Sequence, residues 1–236
     1  GMNLLPTDGK VCSFDCIYCE CGFNKDRKAQ RRMPTREEVS ESLRERLTQM
    51  QADGVTPDVI TFAGNGEPTL HPDFEYIISD TIVTRDALCP KAKIAVLSNA
   101  TQLHKESVCR ALNRVDDNIL KIDSVLDSRI RQIDRPHASG FGFAQLLEQL
   151  KRFDGNLMIQ TMFLKGDVDG QSVNNMTEEE ITGWLDALRQ IAPKQVMIYT
   201  IDRETPAKGL LKATHEELDG IAERVRQAGF NVSVSY

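Results

Sequence analysis

Short apolar runs, five or six residues long, recur along the chain between stretches in which apolar residues return every three or four positions. The first pattern is that of strands covered on both faces, and the second that of helices laying one stripe on a core. It predicts strands at 58–62, 93–97, 118–122, 157–162 and 195–200, with a first strand within 2–5.

The helical stretches open on capping signals. Thr35 with Glu38, Thr177 with Glu180 and Thr214 with Glu217 each have the capping-box spacing, in which hydroxyl and carboxylate satisfy the N–H groups of a helix start reciprocally. Val39, Leu43, Leu47 and Met50 then line one face, as do Ile181, Leu185, Leu188 and Ile191, and Leu218, Ile221 and Val225. These side chains read as core packing. A further helix is predicted at 72–87.

Residues 230–236 alternate apolar with polar, which predicts a half-buried strand at a sheet edge. Alternation of strands and helices is the signature of βα units around a parallel sheet. About six units are short of the eight in a closed barrel of roughly 250 residues. The expectation is therefore one domain, 1–236, folded as an open α/β barrel with an extra C-terminal edge strand.

Composition narrows the function. A hydrophobic content of 40% with 27% charged residues is that of a globular protein, and no apolar run approaches the roughly 20 residues of a membrane span. The start, Gly1 to Pro6, has no basic leader. Four of the six cysteines crowd into 12–21, whereas a disulfide framework would spread its pairs, so they read as metal chemistry in a reducing cytoplasm. Cys89 and Cys109 stand alone in segments expected to be peripheral. A net charge of −6 argues against a protein whose main task is to hold phosphates, and neither DNA nor a membrane is an expected partner. One basic run, Lys25, Arg27, Lys28, Arg31 and Arg32, stands out. It reads either as a solvated loop or as a seat for an RNA backbone, a phosphorylated small molecule or an acidic protein surface.

The chemistry concentrates in Cys12, Cys16 and Cys19, spaced C-x3-C-x2-C in the loop 10–32. A complete four-iron site takes four thiolates, so three leave one iron open to a small molecule. Cys21 as a fourth ligand would close the cluster or make a structural zinc site, but such zinc sites come as two separated pairs. In folds of this class ligands sit at the carboxyl ends of strands. After the expected strands come the cysteine loop, then Ala63 to Thr69, then Ser98 to Thr101, then Asp123 and Ser124, while Gln160 lies within a strand. Gly64 and Gly66 permit positive φ and close backbone approach, and Glu67 offers a carboxylate to an ammonium group. A tight turn would explain the glycines and Pro68 but not the glutamate. Lys121 and Asp123 share a strand face and must meet a cavity or each other. Gln160 shares its face with Met158 and Met162, a surface suited to a cofactor pocket or to ordinary packing. The four histidines lack ligand spacing; His137 falls in a loop and His215 in an exposed first helical turn.

The run Cys12-Ser13-Phe14-Asp15-Cys16-Ile17-Tyr18-Cys19, followed downstream by Gly64-Asn65-Gly66-Glu67-Pro68, closely resembles the radical S-adenosylmethionine (SAM) superfamily over most of the chain. The resemblance implies a partial (β/α)6 TIM-like barrel and a 4Fe-4S cluster on Cys12, Cys16 and Cys19. SAM would chelate the open iron through its amino and carboxylate groups, and reductive cleavage would yield a 5'-deoxyadenosyl radical that abstracts hydrogen from substrate. By the same resemblance, Gly64, Asn65, Gly66 and Glu67 receive the methionyl end. Ser98, Asn99, Asp123 and Ser124 touch the ribose or the methionyl carboxylate. Lys121 pairs that carboxylate or Asp123, and Tyr18 contacts adenine or shields the cluster. With Leu5-Pro6 ahead of the cysteines, the chain looks most like the wyosine-synthase-like iron-sulfur oxidoreductases, whose better-known relatives modify a guanine in tRNA. A flavodoxin or ferredoxin would deliver the electron. A glycyl-radical-enzyme activase acting on a large protein, and a non-catalytic iron-sulfur electron carrier, are the alternatives.

Overall fold

The β-rich runs inside the chain form strands because their apolar side chains find cover on both faces: Ile94, Val96, Leu120, Ile159 and Val196 are all fully buried. The computed structural model describes residues 1–236. In chain order its elements are α1 (Arg36–Ala52), β1 (Val59–Phe62), α2 (Phe74–Leu88), β2 (Lys93–Ser98), α3 (Glu106–Leu112), β3 (Asp117–Lys121), α4 (Asp127–Ile133) and α5 (Phe143–Lys151), then β4 (Met158–Met162), β5 (Leu164–Val168), β6 (Gln171–Asn174), α6 (Glu178–Ile191), β7 (Gln195–Tyr199), β8 (Leu210–Lys212), α7 (His215–Gln227) and β9 (Val232–Ser235). A six-stranded sheet runs β1-β2-β3-β4-β7-β9. β1 pairs with β2, β3 with β4, β4 with β7 and β7 with β9 in parallel, as βα units require, and the C-terminal β9 takes the expected edge beside β7.

The chain divides into two compact units. Residues 1–12, 28–98 and 102–118 make the first. Its two long helices are tied by Arg36, whose guanidinium donates to both carboxylate oxygens of Asp80 at 2.6 and 2.8 Å. The strand expected within 2–5 does not form: Met2 makes one isolated bridge to Phe62. The side chain of Asn3 takes the Leu5 N–H at 3.1 Å, and this local bond competes with a ladder. Cys89 and Cys109 are buried, not peripheral. The Cys109 thiol donates to the Leu103 carbonyl at 3.2 Å.

The second unit comprises residues 13–27, 99–101 and 119–236. Here the single tryptophan, Trp184 of α6, donates to Thr161 Oγ1 at 3.1 Å and packs edge-on to Phe163. A second, antiparallel sheet ordered β6-β5-β8 has no counterpart in the apolar pattern. Its hairpin turns at Asp169 and Gly170, both at positive φ (55° and 75°), which is the chemistry of a two-residue hairpin turn.

Two of the three capping boxes form complete, at Thr35 with Glu38 and at Thr214 with Glu217. The third is half made. Thr177 accepts the Glu180 N–H, but the Glu180 carboxylate turns into the interior and accepts from Ser124 Oγ at 2.7 Å and Val125 N at 3.1 Å. Burying those two donors beside Arg129 leaves no carboxylate for the helix start. Along α1, Val39, Leu43 and Leu47 are buried, while Met50 at its end is only half covered.

Candidate functional site

In the first unit the chain enters the cysteine run as an extended partner of the loop after β1. Val11 N donates to the Asn65 carbonyl at 2.9 Å, and the Val11 carbonyl accepts from Glu67 N at 3.0 Å. Cys12 therefore follows a residue held on both its peptide groups. Gly66, at φ +145°, lies directly against Val11, and Asn65 Nδ2 donates to the Pro6 carbonyl at 3.2 Å. Glu67 is buried. Its Oε1 accepts from Ser98 Oγ at 2.8 Å and from Thr69 N at 3.1 Å, so one carboxylate oxygen joins the loop after β1 to the last residue of β2.

In the second unit the remainder of the run is pinned by its backbone. Asp15 N donates to the Asp134 carbonyl at 3.0 Å, Ile17 N to the Ile133 carbonyl at 2.9 Å, and Cys19 N closes a turn on Cys16 at 3.1 Å. Asn24 clasps the same segment, donating from Nδ2 to Asp15 Oδ1 at 2.8 Å and to the Phe14 carbonyl at 3.0 Å. Asn99 Nδ2 donates to Ser13 Oγ at 3.0 Å, and Ser13 and Thr101 share a 2.6 Å hydroxyl contact.

A polar core lies behind Cys16. The Lys121 ammonium is 2.9 Å from Asp134 Oδ1, 3.0 Å from Asp123 Oδ2 and 3.1 Å from Cys16 Sγ. The rings of Tyr18 and Phe14 cover it at 4.7 and 5.5 Å. Tyr18 donates its hydroxyl to Asp123, which also accepts Met162 N at 2.9 Å. Burial, and then the neighbouring charge of Asp123, push the Tyr18 phenol well above its ordinary range. Burial alone would lower Lys121, but Asp123 and Asp134 outweigh it and hold the ammonium charged well above the usual lysine value. Burial likewise raises Asp134 against the pull of Lys121.

Ser124, expected at the cofactor, is buried with its hydroxyl given to Glu180. Gln160 is half-buried on β4 in register with Lys121. Asp134 and Ser13 are the residues the sequence pattern did not single out. Asp134 is the last cap of a short helix and reaches the core by tertiary packing alone. His137 is exposed in its loop, 3.5 Å from Asp15, and His215 stacks on Tyr236 at the surface.

No three thiol, imidazole or carboxylate side chains are gathered around one metal position. Cys16 is buried, and Cys12, Cys19 and Cys21 are half-buried. The donor set nevertheless suits iron: three cysteine sulfurs within eight residues of one backbone-pinned loop, the ligand type iron-sulfur clusters take.

The sequence model of the Radical SAM superfamily matches residues 7–171, which is more than half of the chain and includes every residue from Cys12 to Gln160. The chain belongs to the radical SAM superfamily. Membership implies an iron-sulfur cluster and SAM. Among curated proteins, this radical SAM chain is 29% identical over 205 residues to a UPF0026 protein of Methanocaldococcus jannaschii, covering 85% of the chain and 58% of that protein. It is 32% identical over 202 residues to a UPF0026 protein of Synechocystis sp., covering 83% and 68%. The chain thus spans under two thirds of the first of these relatives. Among solved structures it superposes on Streptococcus suis SuiB bound to S-adenosylmethionine with a TM-score of 0.69 at 16% identity, over 100% of this chain and 50% of that one. TYW1 with a lysine-pyruvate adduct bound gives 0.61 at 14%, over 94% and 72%. At such identities the likeness is one of fold. No helix is long and apolar enough to cross a membrane.

Proposed function

We propose that this radical SAM enzyme holds one 4Fe-4S cluster on Cys12, Cys16 and Cys19 and uses it to cleave SAM, acting on an RNA base or a small molecule. When bound, the cluster supplies a low-potential electron to SAM, whose cleavage yields the 5'-deoxyadenosyl radical that takes hydrogen from substrate. The single observation that carries this reading is the C-x3-C-x2-C run on a backbone-pinned loop.

The chain's own residues bind, orient and enclose. Gly64 and Gly66 let their loop pack against Asn3 and Val11, and Asn65 and Glu67 of that loop, immobilised by Pro6, Ser98 and Thr69, are preorganised to meet the SAM methionyl group. Asn99, Asp123 and Gln160 would line the remainder of the SAM site. Tyr18, buried with its hydroxyl on Asp123, acts as a shield. Ser124 acts through Glu180 as support. A flavodoxin or ferredoxin in the cytoplasm delivers the electron. Lys25, Arg27, Lys28 and Arg31 are exposed and suit an anionic substrate or an acidic donor surface, whereas Arg32, also exposed, is held by both carboxylate oxygens of Glu38.

An anaerobic assay for 5'-deoxyadenosine, with SAM and dithionite, tests this. The iron-loaded protein is expected to form it and Cys16→Ala to form none. A wild-type protein that takes up no iron, or that takes it up and never cleaves SAM, overturns the reading.

A further inference from the structure

The side chain of Lys121 has three N–H bonds, and the structure offers it three acceptors, Asp134 Oδ1, Asp123 Oδ2 and Cys16 Sγ, all between 2.9 and 3.1 Å. The ammonium is therefore saturated by its own chain. Its side chain is only 13% exposed, and the two carboxylates facing it are 0% and 5% exposed. The rings of Tyr18 and Phe14 close over it. A cation so enclosed has no donor to extend to the carboxylate of a small molecule, which is the role the sequence pattern left open for it.

We propose that Lys121 is a positioning residue for the Cys16 sulfur, raising the reduction potential of a cluster ligated there by donating a hydrogen bond to that sulfur. The inference rests on the cluster reading given under Proposed function and deepens it. Hydrogen bonds to cluster sulfurs, net charge and solvent exposure set the potential of an iron-sulfur centre. Reduction adds a negative charge that spreads onto the thiolate sulfurs, so a neighbouring positive charge stabilises the reduced form more than the oxidised one. At low dielectric that difference is large. Asp123 and Asp134 fix the position of the ammonium, and Asp134 Oδ1 also lies 3.6 Å from Cys16 Sγ, so the cation at 3.1 Å is the nearer charge to that sulfur. The bond from Lys121 to Cys16 Sγ is the route by which the effect enters. Through this bond Lys121 makes the cluster easier to reduce than the same site would be without the cation.

The test is an EPR-monitored redox titration of the anaerobically purified, iron-loaded protein, with iron per chain and SAM affinity measured on the same samples. Lys121→Met removes charge and donors but leaves two buried carboxylates unpaired, so it is paired with the double variant Lys121→Met/Asp134→Asn, which removes one carboxylate with the cation. In Lys121→Met with wild-type iron, the reduced-to-oxidised ratio at a fixed potential is expected to fall at least tenfold, a shift of about 59 mV for one electron; in the double variant, which also removes the carboxylate 3.6 Å from the same sulfur, it is expected to fall by less. Lys121→Arg, which keeps a cationic donor, is expected to recover most of it. SAM affinity should stay within about twofold of wild type. An unmoved potential in an iron-replete variant overturns the inference while leaving the cluster reading intact. A wild-type chain that holds no iron overturns the cluster reading itself.

Discussion

A Cβ on Gly66 would lie 1.8 Å from the carbonyl oxygen of Val11, the residue before the first cysteine. No side chain survives such a contact, and because the obstacle is backbone, the loop after β1 or the entry to the cysteine run has to move. The φ of +145° adds strain for any residue with a Cβ. Gly66→Ala is expected to cost about 3 kcal/mol or more of stability, from the clash and the strained backbone together, and to reduce iron per chain. Differential scanning calorimetry and iron analysis check this against Gly140→Ala, whose Cβ meets open space and whose effect should stay within about 0.5 kcal/mol. Equal behaviour of the two variants would remove the argument that the loop after β1 braces the cysteine run.

Cys21 follows the tripod closely and is half-buried, in the turn that Gly22 N closes on the Cys19 carbonyl at 2.9 Å. Cys21→Ala is expected to keep wild-type iron content and the wild-type yield of 5'-deoxyadenosine, measured anaerobically. Loss of the cluster in this variant would favour a four-thiolate electron carrier instead.

Glu180 gives the fold a pH signature. Burial raises its carboxyl above the ordinary glutamate value of 4.5, with Ser124, Val125 and Arg129 offsetting only part of the cost. A raised pKa means that the folded state binds the proton more tightly than the unfolded state does. The stability this contributes is complete below the ordinary value and is lost as pH rises through the raised one. Glu180→Gln is expected to flatten that part of the stability curve, followed by Trp184 fluorescence during urea unfolding between pH 4 and pH 7. At low pH the variant should cost about 1 kcal/mol, since its added N–H₂ lacks an acceptor there. A wild-type curve with no fall in this window would contradict the burial argument.

The parallel strands were legible because each is a continuous apolar run, and Thr35, Thr177 and Thr214 announced their helices because capping is a local interaction. What escaped was decided at long range. Glu180 has capping spacing, but Ser124 and Val125, more than fifty residues earlier, offered buried donors and drew its carboxylate inward. The strand expected within 2–5 lost to the side chain of Asn3. Strands β5, β6 and β8 carry Lys, Asp, Gln and Ser among few apolar residues, so nothing in their pattern marks them. The Asp169-Gly170 pair was the one available signal. At the candidate site, Glu67 and Lys121 could be singled out as charges next to or within apolar strands. Asp134 could not, because its meeting with Lys121 is created by the packing of a helix end.

The segment from Val11 to Ile17 is fastened through the amide protons of Val11, Asp15 and Ile17. Every amino acid but one possesses that proton, so the anchorage is blind to side-chain identity. Those three bonds tolerate any side chain but not proline, which would unhook the segment, while Ser13, Phe14, Asp15 and Tyr18 are held by side-chain contacts of their own.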